Sequence, residues 1–443
     1  MKPAITSMQE FILVDMAMTL FENSSGCKLH RDPNTGKCKF LALGKWRGTL
    51  SQNDLPCNFF SLSDHLDMLG VTLMATYTTT RKANGDALQE KMKNLVGSWR
   101  SGKFMPLTMR PHSLNCYAYS KLWHRCCTID MRLSDITAFN KQSKSWLYAD
   151  MLEKPEELAL YRQSEDGGLG LYNIQQRALA CQINSFLETS CNPKFRKNQY
   201  HEALLNHHVL DDSTGRLDIT PYYKGNFFPT IKRINDSQAD ISNITVKAIY
   251  KFLLLEITMQ ESEVTVYKPF KVEINSPNIQ WDRTWKLSRQ QMLGPNLTSF
   301  LFKLLHQILP TAERVSRILP NKSPLCSRCR VEDPVVETLC HSMFECPDNQ
   351  GAGEVLLQGL RRFIPDLSPL DILQLNFDLD EELNFPIVWC TATFLSSLWL
   401  LRSDKKKVEL FKIRADMESK VRLLRESRLL KTSEILSTIF LNL

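Results

Sequence analysis

The sequence predicts an α+β fold that is predominantly helical. Three observations predict it. Long stretches repeat apolar residues at spacings of three and four, the signature of helices with one buried face. Only short runs, such as KCKFLAL, LDMLGVTLMATY and VTVYKPFKVEI, have strand character. Finally, SPLCSRCRVEDPVVETLCHSMFEC, residues 323–346, gathers four of the thirteen cysteines and one of the nine histidines at metal-binding spacing.

At 443 residues the chain can bury a large core spread over two or three domains. A hydrophobic fraction of 43% and a charged fraction of 23% are those of a folded soluble protein. The net charge of +7 favours polyanions only weakly. Scattered cysteines with no short secreted framework point to a reducing compartment, hence to an intracellular protein, nuclear or cytoplasmic. The first residues lack the basic stretch, apolar core and cleavage site of a signal peptide. FPIVWCTATFLSSLWLL (385–401) reads as a buried helix, being short and interrupted by Thr and Ser. No membrane contact is expected.

Taken in order, MQEFILVDMAMTLFE (8–22) fits a helix that SSG breaks, and a turn then leads into the strand KCKFLAL. LDMLGVTLMATY (66–77) reads as a strand region. In 84–104 Leu88, Met92, Leu95 and Trp99 form one apolar stripe. Residues 108–130 and 136–150 are further helical stretches. SEDGGLGLYNIQQRALACQINSFLE (164–188) is a glycine-rich turn, a short apolar run and a helix. Polar residues dominate from about 190 to 245. AIYKFLLLEIT (248–258) is helical and VTVYKPFKVEI (264–274) strand-like; LTSFLFKLLHQIL (297–309), 354–364, 385–401 and 406–427 complete the helical half.

Cys326-x2-Cys329 and His341-x4-Cys346 are two tight pairs separated by eleven residues. Tetrahedral zinc takes four soft or borderline ligands from such pairs, one from a turn and one from the start of a helix. The expected ligands are Cys326, Cys329, His341 and Cys346, holding one Zn2+ per chain. Cys340 competes with His341 and sits one position earlier. Spacing alone also admits buried free cysteines, or Cys340 in place of one member of the set. Four protein ligands leave no open position, so the metal would be structural.

The surroundings carry a resemblance. Trp281 and Trp285, Lys303-x-x-His306, Leu309-Pro310-Thr311 and the four ligands stand in the order seen in the zinc-binding segment that follows the reverse transcriptase of non-LTR (LINE-like) retrotransposons. FENSSGCKLHRDPNTGKCKFLALGKWRG (21–48) resembles the polymerase stretch just beyond the catalytic aspartate box, LDMLGV (66–71) the strand after it, and EDGGLGLYNIQQRALA (165–180) a landmark near the end of the thumb. The resemblance implies a truncated polymerase palm remnant at 1–83, a helical connection or thumb at 84–190, a mixed connecting region at 191–275, a small zinc-stabilised helical module at 276–350 and a helical tail at 351–443.

The family polymerises DNA on RNA with two metal ions held by palm carboxylates. Those carboxylates are expected upstream of residue 10, so the resemblance implies a non-catalytic portion, with no catalytic residue and no catalytic Mg2+. WLYADM (146–151) lacks the second aspartate of the family's box, and Asp150 reads as a lone helix-end carboxylate. Asp211-Asp212 reads as a solvated turn. Cys27, His30 and Cys38 lack a fourth ligand, and His207-His208 has no convincing nucleophile beside it. GGLG (167–170) departs from both phosphate-loop patterns.

RNA or primer–template nucleic acid is the expected partner, through Lys303, His306, Arg314, Arg317, Lys322, Arg328 and Arg330. Residues 402–431, with eleven Lys or Arg against five acids, are a second basic stretch. Trp281 and Trp285 fit base stacking or a core equally by type, and core is the commoner fate. Two other readings stay open: a structural fragment whose exposed apolar surface is covered by a protein partner, and part of a polymerase whose palm lies elsewhere.

Overall fold

The computed structural model describes residues 8–25, 39–42, 47–55, 61–99, 104–149, 151–152, 154–191, 226–237, 244–261, 279–329, 334–403 and 408–426. The expected strand at 264–274, Cys27, His30, Cys38, Asp150, His207-His208, Asp211-Asp212 and Arg330 lie outside the described residues. The chain divides into two compact units, one of residues 1–95, 121–139 and 178–244 and one of 96–120, 140–177 and 245–443.

The first unit holds the strands among the described residues. β1 (Lys39–Leu41) pairs in parallel with β2 (Ser61–Ser63), and β3 (His65–Met68) pairs antiparallel with β4 (Val71–Met74), each as a two-stranded sheet. Leu69 and Gly70, both at positive φ, form the hairpin turn between β3 and β4. The expected strand region is thus a hairpin. Its turn carbonyls are held by the helix Ser120–Cys126: His124 donates to Leu69 O at 2.7 Å and Arg125 to Gly70 O at 2.6 Å. Asn84, on the helix Tyr77–Ser98, pairs with both the N–H and the C=O of Thr72, as a neighbouring strand would. That helix begins seven residues before the asparagine, earlier than the apolar stripe implies. Phe186, Phe227 and Phe228 meet edge to face, at centroid distances of 5.1–5.7 Å.

The second unit is all helical apart from one isolated bridge between Leu325 and Val336, among the described residues. The helix Glu381–Ser403 runs through its core. It is long and apolar enough to cross a membrane. Yet Ile387, Val388, Trp389, Cys390, Ala392, Phe394, Leu395 and Leu398 are all buried among side chains of the helices Trp281–Ser288, Gly294–Leu305, Gln350–Arg361, Pro369–Gln374 and Leu410–Glu426. This explains a sequence that is apolar all round. The stripe Ile413, Met417 and Val421 closes the 410–426 helix onto that core. Lys412, Arg414 and Arg422 are left exposed on the other faces.

Gly167 and Gly168 lie under the zinc module's lead-in helix. Gly167 has φ +81°, and a Cβ there would overlap the Trp285 indole; a Cβ on Gly168 would overlap the Arg162 carbonyl. His306 Nε2 donates to Gly167 O at 2.8 Å, and Arg289 donates to Gly168 O at the same distance. Leu169 and Leu171 then bond back to Ala159 and Leu160. Trp285 stacks on Trp281 at 5.5 Å on one side and lies 5.4 Å from the His306 ring on the other. Gly167 is therefore a spacer that lets backbone approach the Trp285 indole, and Gly168 one that lets it approach the Arg162 carbonyl.

Candidate metal centre

The centre is assembled from two local turns. Leu309-Pro310-Thr311 follows the turn after the helix Gly294–Leu305 and starts the next, with Thr311 as N-cap of Ala312–Ile318. The chain then folds into a short ladder: Cys326 N–H donates to Val335 O at 2.8 Å, and Glu337 N–H to Pro324 O at 2.9 Å. The ladder brings the Cys326-x2-Cys329 turn beside the start of the second pair. His341–Glu345 is one wide helical turn, closed by a bond of 2.7 Å from Cys346 N–H to His341 O. In an ordinary α-helix, positions five apart diverge; a turn closed i→i+5 returns Cys346 to the side of His341. Thr338 Oγ1 accepts from His341 N–H at 3.0 Å and fixes where this turn begins.

Cys326 Sγ lies 3.8 Å from Cys346 Sγ, and Cys329 Sγ lies 3.3 Å from His341 Nε2. All four ligand atoms lie within 4.8 Å of one another. A tetrahedron of Zn–S bonds of about 2.3 Å has S–S edges of about 3.8 Å, whereas a disulfide needs about 2.05 Å. Cys326, His341 and Cys346 are buried and Cys329 is half-buried. The set fits one structural Zn2+ ion, with no room for a fifth, reactive ligand. Cys340 stays outside it: burial, helped by a bond to Glu345, pushes its thiol up to about 12. It packs partly buried against the hydrophobic core and is not among the converging atoms, so the ambiguity left by spacing is resolved in favour of His341.

Burial pushes the Cys326 thiol up, but the Arg328 N–H, the His341 ring, the Cys329 N–H and the Arg402 guanidinium outweigh it and bring it down to about 7. Burial and the neighbouring sulfurs push Cys329 up to about 12 and also raise Cys346. One thiolate suppresses ionisation of the others until a dication balances all three.

A second layer ties the centre to the core helix. Arg402, near the end of Glu381–Ser403, pairs with Glu337 while both are almost fully buried. Its guanidinium also reaches the Cys326 sulfur. Arg328 donates to Arg402 O at 2.8 Å and to Asp348 at 3.2 Å. Neither Arg402 nor Glu337 was distinguishable in the sequence, because no spacing rule joins residues 65 positions apart. An unexplained arginine closing an apolar helix was the one available signal.

The expected nucleic-acid residues separate. Arg317 and Lys322 are exposed, with Arg317 held by Glu313, and Arg314 is half-exposed. Lys303 lines an open groove of about 950 Å3 with Phe104, Leu152, Trp399 and Leu400. Arg328 is committed to Asp348 and Arg402 O, as described above. His306 is a correction: its ring is buried against Phe302 and Trp285, and burial, joined by the Arg289 charge, pushes its pKa down to about 3. Trp281 and Trp285 are core. Among the described residues, the Cys3His set is the group of metal-type side chains close enough to share one ion.

Compared with known proteins, the chain matches no protein-family model and no curated sequence.

Proposed function

We propose that this chain is a non-catalytic, zinc-stapled portion of a LINE-like reverse transcriptase, and that it holds RNA or primer–template duplex by the phosphate backbone. The observation that carries this is the preformed Cys3His centre in its sequence setting, with Trp281, Trp285 and Leu309 sharing one hydrophobic core with Met343 and Phe344 of the turn that carries His341. Arg314, Arg317 and Lys322 stand on the helix and loop leading into the centre, where a rigid module can present them to phosphates. The zinc holds that surface in shape and takes no part in chemistry.

The test is anisotropy titration of the zinc-loaded chain with structured RNA and with primer–template duplex across a salt series. The triple variant Arg314→Glu, Arg317→Glu, Lys322→Glu should bind more weakly and lose about two to three units of salt slope. Equal affinity and slope in the variant, or equal binding by a charge-matched control protein, would contradict the proposal.

One observation favours a second reading, a surface for a protein partner. Ile318, Leu319, Leu325, Val335 and Val336 are each about two-fifths exposed around the centre. Under that reading the charge variant binds nucleic acid like the native chain, and polar substitutions at Leu319 and Val336 abolish self-association or complex formation seen by sedimentation.

A further inference from the structure

The open groove of the second unit is used neither by the metal centre nor by the basic surface beside it. Its volume is about 950 Å3, and all of its lining residues belong to that unit. It is lined by residues 104–110, by the helix Gly294–Leu305, and by the last turns of Glu381–Ser403 with Trp399 and Leu400. Lys420, on the helix Leu410–Glu426, completes it. These parts are fixed to one another. Thr108 N–H donates to Ser299 Oγ at 3.1 Å. Asp416 accepts from Ser397 Oγ at 2.6 Å and from Lys420 Nζ at 2.7 Å, which ties the last two helices together. Yet Leu152 and Leu400, both in the lining, are 46% and 62% exposed. A preformed groove with large apolar side chains at its mouth fits the apolar face of a helix.

The chain itself supplies such a face. Residues 427–443, SRLLKTSEILSTIFLNL, follow Leu410–Glu426 directly and lie outside the described residues. At helical spacing Leu429, Leu436, Ile439, Phe440 and Leu443 fall in one stripe, and Lys431, Glu434, Thr438 and Asn442 fall opposite. The tether is short enough. Lys420 stands in the groove lining, and Glu426 ends the same helix about 9 Å further on. Residues 427–434 can span up to about 26 Å when extended, so the stripe from Leu436 onward reaches the groove of the same chain.

We propose that residues 435–443 dock as a helix into this groove of their own chain, seating Leu436, Ile439, Phe440 and Leu443 against Leu152, Trp399 and Leu400. The covalent link decides the occupant. It holds the segment at an effective concentration of about 1 mM, so an intrinsic Kd of about 0.1 mM keeps the groove covered about nine-tenths of the time. A second copy at micromolar concentration, offering the same segment with the same Kd, leaves the groove open.

Hydroxyl-radical footprinting of the full, zinc-loaded chain tests this, read at Leu152, Trp399 and Leu400, with zinc content checking that each variant keeps its fold. In Phe440→Asp, oxidation of these three side chains should rise about tenfold, as the covered fraction falls from nine-tenths toward zero. A synthetic peptide of residues 429–443, added at about 1 mM, should restore the protection. The reciprocal change Leu400→Asp, at an exposed position, should raise oxidation of Phe440 by a similar factor. Equal oxidation in the native chain and in Phe440→Asp overturns the proposal, as does equal oxidation of Phe440 in the native chain and in Leu400→Asp. Protection that disappears on dilution also overturns it and assigns the groove to a second copy. A native groove that is oxidised rapidly, and that the peptide does not protect, leaves it to a separate protein.

Discussion

His341 and His306 are both buried histidines of the second unit, 3% and 6% exposed, and both stand in the segment that resembles a retroelement zinc module. Their surroundings differ in kind. His341 meets three sulfurs across a gap that fits a metal ion, so its neighbours share one bonding partner. His306 meets a glycine carbonyl and two aromatic rings, so its neighbours are held by close packing and a hydrogen bond to Gly167 O. The first arrangement fails when one ligand or the ion is lost. The second fails when anything is added, because Gly167 has no space for a Cβ.

The sharpest break is at the metal. Cys346→Ala, or chelation, should abolish stoichiometric zinc in native mass spectrometry and unfold residues around 320–350, since structural zinc contributes on the order of 10 kcal/mol. Cys340→Ala should keep the zinc; retention in both variants would void the ligand assignment. Next comes the layer behind the ligands. Arg402→Ala leaves Glu337 buried and unpaired, and denaturant melts should show a loss of about 3–5 kcal/mol. A loss below about 1 kcal/mol would mean that the pair is solvated.

The glycine contact comes third. Gly167→Ala should cost about 2–3 kcal/mol, from positive φ and from overlap with Trp285. Combining it with Trp285→Leu should recover part of that loss, and strict additivity would show that the overlap is absent. The smallest effect is on pH. The folded pKa of His306, about 3, lies below its ordinary 6.5. The unfolded state therefore binds more protons between these values. The His306 contribution is fully present above about 6.5 and falls with pH toward 3, by about 2 kcal/mol at pH 5. His306→Gln should remove that part of the pH dependence, and parallel pH profiles for the two proteins would contradict the burial of a neutral ring.

Much of the helical order was legible. Leu88, Met92 and Leu95 lie in the helix Tyr77–Ser98 as their spacing requires, with Trp99 just past its end, and 385–401 is a core helix as its length and hydroxyl residues suggest. The hairpin at 65–74 was seen only as one strand region, because the Leu69-Gly70 turn lacks the usual Asn-Gly or Asp-Gly signal. GGLG is a turn, as its glycines predict, but its partner is not legible in them. Nothing local in the sequence says that an indole more than a hundred residues away will rest on that backbone. His306 was misplaced for the same reason: a polar aromatic beside a lysine has the same type whether it faces solvent or core.

The sequence by itself narrowed the zinc ligands to Cys326, Cys329, His341 and Cys346, with Cys340 as the one competitor, because chelation is local: two residues between cysteines, or four between a histidine and a cysteine, restrict geometry through the covalent chain. Burial is not local. Only the tertiary structure decided that Cys340 is a packed thiol, that Arg402 returns to Glu337 and Cys326, and that His306 rests against Gly167 and Trp285. In each case the outcome depends on which distant side chain displaces water from the group, and that displacement sets its charge, its reactivity and its role.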